Sequence, residues 1–386
     1  MKSRTLVILL AALAVLVALA IAVSVSQRPG STAGALLYPG LRDQLDEVDS
    51  VVVRSGGNKV VATLERGKAG WTVRERDGYP ADLGRLRKNL VSLAEATITE
   101  EKTSNPAFYE RLRVDDIDKD SAAGLRLDIG IGGKTVASVI VGSTAVAGSD
   151  SAYVRRAGEA QSWLVRGAFD LPRETSGWLD KAITSIPASR IAAVSITQPD
   201  GATLKIDKAR AGEADFQVSG IPAGRELSFP GAGNNIGAAL ADLSLDAVEP
   251  AAGFAPGNVR PTVARFETFD GLVVEVSTWK LPAGARLRLA AHADAALAAR
   301  HAPPPGTTPE SGPAADAIAS STRKDLAGVQ AEAEQLDARA GAWVYTVPAY
   351  KVDQLTHRLD DLLAPKKAAA PAAGTGRPAA GGAGSG

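Results

Sequence analysis

Three aspartates at alternating positions, Asp116, Asp118 and Asp120, come nearest to a metal-ligating pattern in this sequence, because a calcium loop takes oxygens from its first, third and fifth residues. The pattern fails further on. Its sixth position is Ser121, where the sharp turn needs glycine, and its twelfth is Leu127, where a bidentate glutamate closes the site. The run reads as a solvated acidic loop. Gly133-Lys134-Thr135 ends like a phosphate-binding loop, but Asp128 stands where the leading glycine is required, and the flanks alternate like a hairpin. Gly231, Gly233 and Gly237 are spaced one residue too widely for a dinucleotide fingerprint and follow no parallel-strand unit, so they read as helix-entry glycines. Ser321-Thr-Arg-Lys324 has the Ser-x-x-Lys spacing of some acyl-enzymes, in a low-complexity stretch with no second motif.

His292, His301 and His357 are the only histidines and are scattered, whereas a metal site needs three or four converging ligands. The absence of cysteine excludes disulfides, thiolate metal sites and a lipid-modified N-terminal cysteine. Trp71, Trp163, Trp178, Trp279 and Trp343 read as core rather than ligand platform, since four of them sit in alternating segments. No catalytic, cofactor-binding or metal-binding residue is therefore assigned. With 43 basic and 43 acidic side chains there is no net charge to draw the chain to nucleic acid.

The elements that would position any site begin with residues 6–25, a run of Leu, Val, Ile and Ala broken by one serine and no charge. Twenty helical residues span about 30 Å, the thickness of a bilayer's hydrocarbon core. Lys2 and Arg4 precede the run and only Arg28 follows closely, so the positive-inside rule keeps the N-terminus cytoplasmic and places the bulk outside. Residues 1–26 are thus expected as a transmembrane signal anchor. The alternative is a cleaved signal peptide with Ala18-Leu19-Ala20 or Ala20-Ile21-Ala22 as its site, but the apolar run exceeds an ordinary signal core. Residues 27–47 form a spacer, and residues 365–386 an Ala/Pro/Gly tail expected to be disordered.

Laid on itself, the chain matches at an offset of 150. Tyr79-Pro80 corresponds to Phe229-Pro230, and Leu86, Leu90 and Leu93 correspond to Ile236, Leu240 and Leu243, the spacing of one helix face. Helices are expected over 81–96 and 233–246. At smaller offsets Val48, Val51 and Val53 match Ile191, Val194 and Ile196, and hairpins follow at Gly56-Gly57-Asn58 and Pro199-Asp200-Gly201. Trp71 and Val73 match Phe216 and Val218. Further hairpins turn at Gly132-Gly133 and Asp270-Gly271, with Leu125 set against Val263. Trp163 matches Trp343, after which Tyr350, Val352, Leu355, Leu359 and Leu362 read as a closing helix.

The expected fold is α+β: two tandem modules, 48–188 and 189–364, each an antiparallel strand-rich sheet with a central amphipathic helix, behind a single transmembrane helix. The linker at Ile186-Pro187 is too short for free motion, so the modules are expected to pack end to end. Residues 292–339 read as a low-complexity insertion, its second half a marginal surface helix adding little to either core.

The anchor, the Trp71-x-Val73 strand, Tyr79-Pro-Ala-Asp82 opening a helix and the late tryptophan strand resemble a bacterial envelope family known as domain of unknown function 4340. The second copy departs from the motif, with Gly231-Ala232 in place of Ala81-Asp82. The resemblance implies a non-enzymatic, inner-membrane-anchored periplasmic accessory or scaffold protein, with ABC-type export permeases and gliding-type auxiliary subunits as partners. It brings no catalytic residues. The competing class is an envelope hydrolase or glycan-binding protein whose site is assembled from unrelated loops.

Overall fold

Residues 33–144, 150–302 and 323–365 are described by the structure, a computed structural model. The expected anchor at 6–25 lies outside them, and among the described residues no helix is long and apolar enough to cross a membrane. The chain divides into two compact units, Met1–Lys181 and Ala182–Gly386. Both are antiparallel strand-rich sheets with a few helices.

In the first unit the strands are β1 (Ser50–Ser55), β2 (Lys59–Gly67), β3 (Gly70–Val73), β4 (Tyr79–Pro80), β5 (Thr97–Glu101), β6 (Leu125–Ile131), β7 (Lys134–Thr144), β8 (Ser151–Arg156) and β9 (Ser162–Arg166). Helix α1 (Leu83–Ala94) separates β4 from β5, and the single turn α2 (Tyr109–Leu112) precedes β6. The sheet runs β4-β3-β2-β1-β6-β7-β8-β9-β5. Alternation builds it: Leu125, Leu127 and Ile129 are buried on one face of β6. Gly132 and Gly133, at φ 57° and 76°, supply the left-handed turn into β7. Asp82 caps α1 by accepting from Arg85 N at 2.9 Å. Asn89, buried on the same helix, exchanges hydrogen bonds of 2.7 and 2.9 Å with the backbone of Asp170 and so fastens α1 to the segment after β9.

The second unit opens with β10 (Ala182–Thr184), which pairs with β14 (Leu243–Ser244) as a two-stranded ribbon. Its sheet comprises β11 (Ile191–Thr197), β12 (Thr203–Asp207), β13 (Gln217–Ser219), β15 (Ala247–Pro250), β16 (Thr262–Thr268), β17 (Leu272–Leu281), β18 (Gly284–Ala293) and β19 (Trp343–Thr346). The order is β13-β12-β11-β16-β17-β18-β19-β15. Omitting β4, the first sheet follows the same order strand for strand.

Register makes the correspondence residue-specific. Val51 faces Ile129 and Val53 faces Leu127, as Val194 faces Phe266 and Ile196 faces Ala264. Leu127 then faces Val139, as Ala264 faces Val276. Two residues further, the pair Leu125 and Val141 stands where Thr262 and Thr278 stand. Leu125 thus corresponds to Thr262 and not, as the turn positions suggest, to Val263, because the β6/β7 ladder slips at Gly130 beside its turn.

Three expectations about helices are corrected. The helix expected over 233–246 is only α3 (Asn234–Gly237). Asn234 is engaged sideways, accepting from Phe216 N at 3.0 Å and donating to Asp215 at 2.7 Å. A Cβ on Gly237 would also clash with the Phe216 ring. Ile236, Leu240 and Leu243 are nevertheless buried.

The closing helix stops as α6 (Ala349–Thr356) and resumes as one tight turn at Leu359–Leu362. Gln198 donates to Thr356 O and His357 O at 3.0 Å each, occupying carbonyls that a continuing helix would use.

The insertion carries α4 (Ala295–Arg300) and α5 (Leu326–Ala340) between β18 and β19. Helix α5 is no marginal excursion. Asp325 caps it at 2.8 Å from Gly328 N, and Val329, Ala333 and Ala340 are buried where it packs on β17 and β18. Small side chains permit that close approach, which a count of large apolar residues does not register.

Candidate functional site

The residues that the sequence brings forward for chemistry are dispersed and tied into the fold. Asp116 accepts from Arg155 Nη2 at 2.5 Å, and Arg155 is buried, also donates to Val114 O at 2.8 Å, and lies over the Tyr109 ring at 4.5 Å. Asp120 lies 3.8 Å from Lys59 instead. Among the described residues no three His, Asp or Glu side chains are grouped to hold a metal ion. Gly133 and Lys134 are exposed at a hairpin turn, where Gly132 N donates to Asp49 at 2.7 Å.

His292 lies on β18 opposite Val273. His301 ends α4 edge-on to Phe269, its ring centroid 5.1 Å away, and burial followed by Arg300 and Arg323 pushes its pKa down. His357 Nδ1 is 3.6 Å from Asp361. Ser321 lies outside the described residues, and Lys324 Nζ is paired with Glu332 at 3.0 Å. Trp163 and Trp178 are core, whereas Trp71, Trp279 and Trp343 are half-buried.

One charged cluster has no sequence motif. Arg190, just before β11, meets Asp270 at 3.1 Å and Glu332 at 2.8 Å. Thr268 Oγ1 donates to Asp270 at 2.5 Å, and Lys324 N also donates to Asp270, at 3.2 Å. Burial alone would raise the Glu332 pKa, but hydrogen bonds from Arg190 and Lys324 hold it below its ordinary value. Every group here is answered by a protein partner, so the cluster is a fastening.

A different arrangement occurs where the first residues of β16 meet the last of β17. There a cavity of about 440 Å3 opens over a polar floor. Gln198, Thr262, Thr278 and Thr356 form that floor, and all four are buried. Gln198 accepts from Thr262 Oγ1 at 3.1 Å while donating to the two α6 carbonyls, so its amide is fixed. Thr356 Oγ1 donates to Val352 O at 2.8 Å.

The rim is charged. Arg260, Lys280, Arg358 and Asp361 line it. Arg358 is held by Asp200 at 2.8 Å, and Ala202 N followed by Arg358 lowers the Asp200 pKa. Asp361 accepts from Arg358 N at 2.7 Å. Arg260 and Lys280 make no ion pair among the described residues. Sequence inspection misses this site because its residues are common types drawn from four separated segments; the cross-strand threonine pair is its one local signal.

Residues 71–251 match a family model described as Domain of unknown function (DUF4340). The match supports the family expected from Trp71, Tyr79 and Asp82. No curated protein and no solved structure matches the chain. The DUF4340 match begins in β3 and ends beside β15, so it takes in parts of both units. Of the cavity's floor only Gln198 falls within it; Thr262, Thr278 and Thr356 lie beyond, as do Arg260 and Lys280 of the rim.

Proposed function

We propose that this chain is a non-enzymatic accessory or scaffold protein of an envelope transport complex, carrying two copies of one α+β module on the outer side of the inner membrane. Residues 6–25 form its single-pass anchor, with the N-terminus cytoplasmic and the bulk periplasmic. ABC-type permease and auxiliary subunits are its partners. The observation that carries the reading is that the side chains best suited to chemistry are engaged in structure: Asp82 as a helix cap, Asp116 on buried Arg155, and Lys324 on Glu332. The shared strand order of the two sheets supports a duplication, and the DUF4340 match is in keeping with the family from which the role is inferred.

The test is crosslinking in native membranes followed by purification of the full chain. Recovery of permease subunits in reproducible stoichiometry is expected. A chain recovered alone after crosslinking, with no permease subunit attached, would contradict the proposal.

A further inference from the structure

The cavity over Thr262 and Thr278 combines two features that are each unfavourable without a ligand. Thr278 is 1% exposed, and its Oγ1 has no hydrogen-bond partner among the described residues. Valine has the same shape and leaves no buried hydroxyl without an acceptor. In the first sheet the same position is Val141, opposite Leu125.

The second feature is electrostatic. Arg260, two residues before β16, and Lys280, two residues beyond Thr278 on the same face of β17, both line the cavity, so two cations stand at its rim with no ion pair among the described residues. The corresponding positions of the first unit are Ala123 and Ser143, which carry no charge.

One bound dianion relieves both. We propose that this cavity of the second unit binds a phosphate group, free or as a small phosphate monoester, between Arg260 and Lys280 and within reach of the Thr278 hydroxyl. A phosphate monoester carries close to two negative charges at neutral pH and three strong acceptor oxygens, which matches two monovalent cations and a donor without an acceptor. Asp361 and Arg358 also line the cavity, but they are already bonded, Asp361 to Arg358 N and Arg358 to Asp200. The volume of about 440 Å3 exceeds that of a bare phosphate, and the Gln198, Thr262 and Thr356 floor suits a hydroxylated body. This inference stands on the second unit alone and does not depend on anchoring or on a transport partner.

The test is calorimetric titration of the purified full chain with inorganic phosphate, glucose 6-phosphate and glucose. Saturable binding of one or both phosphate probes, and none of glucose, is expected; the tighter of the two identifies a free or an esterified ligand. Lys280→Ala and Arg260→Ala should each weaken binding by about tenfold or more, the effect of losing a charge-assisted hydrogen bond. Lys59→Ala in the first unit should not change it. Thr278→Val should raise Tm while weakening binding, a combination that a purely structural threonine does not produce. Failure of both phosphate probes to saturate, or unchanged affinity in Lys280→Ala, overturns the proposal.

Discussion

Arg190 and Glu332, 142 residues apart in the chain, are joined by two hydrogen bonds of 2.9 and 2.8 Å. The pair fixes α5 of the insertion to the start of β11, and Asp270 at the β16/β17 turn completes it. Glu332→Ala should destabilise the second unit by about 1.5–3 kcal/mol, the range for hydrogen bonds to charged groups, because Arg190 keeps Asp270 as a partner. Denaturant unfolding checks this. Deleting residues 326–339 should cost more, because Val329 and Ala333 leave the core as well.

The same pair sets an acid limit. The folded-state pKa of Glu332 lies below its ordinary value of 4.5, so its contribution is fully present above that value and is lost as pH falls through the folded-state value. Thermal melts from pH 7 downward should show stability declining below about pH 4.5, the ordinary glutamate range. Glu332→Gln should begin less stable and decline less steeply.

Asp82→Ala should cost about 1 kcal/mol, within the usual range for an N-cap, and lower Tm by a few degrees. Asp82→Ser, which can also accept from Arg85 N, should recover most of that loss. The accessory role should survive both substitutions, whereas loss of a catalytic carboxylate typically costs orders of magnitude in rate.

Gly237→Ala should destabilise by about 1–3 kcal/mol, because the new Cβ meets the buried Phe216 ring. The same change raises helix propensity. A more stable Gly237→Ala variant would show that α3 is short for another reason.

Much of the antiparallel α+β architecture was legible because its signals are local. Gly132-Gly133 and Asp270-Gly271 mark hairpins, and Leu86 and Leu93 mark the buried face of α1. Strands β5 and β15 were not legible, since Thr97–Glu101 is mostly polar and Ala247–Pro250 is four residues ending in proline, and the pairing of these two sheet-edge segments depends on β9 and β19. The length of α3 depended on Phe216, and the break after α6 on Gln198, neither of which is near in sequence. Packing of α5 was hidden by its alanines. The cavity's polar floor was hidden for a related reason: Thr262 and Thr278 alternate like any strand residues, and only the register that aligns them with Leu125 and Val141 makes their hydroxyls stand out.

The accessory proposal is tested most directly by replacing residues 6–25 with a cleavable export signal and scoring both fractionation and complementation of a null strain. The account predicts a released periplasmic protein that folds, keeps the Thr278 cavity and its phosphate affinity, and fails to complement, because the membrane partner no longer sees it at high effective concentration. Full complementation by the released protein would contradict it.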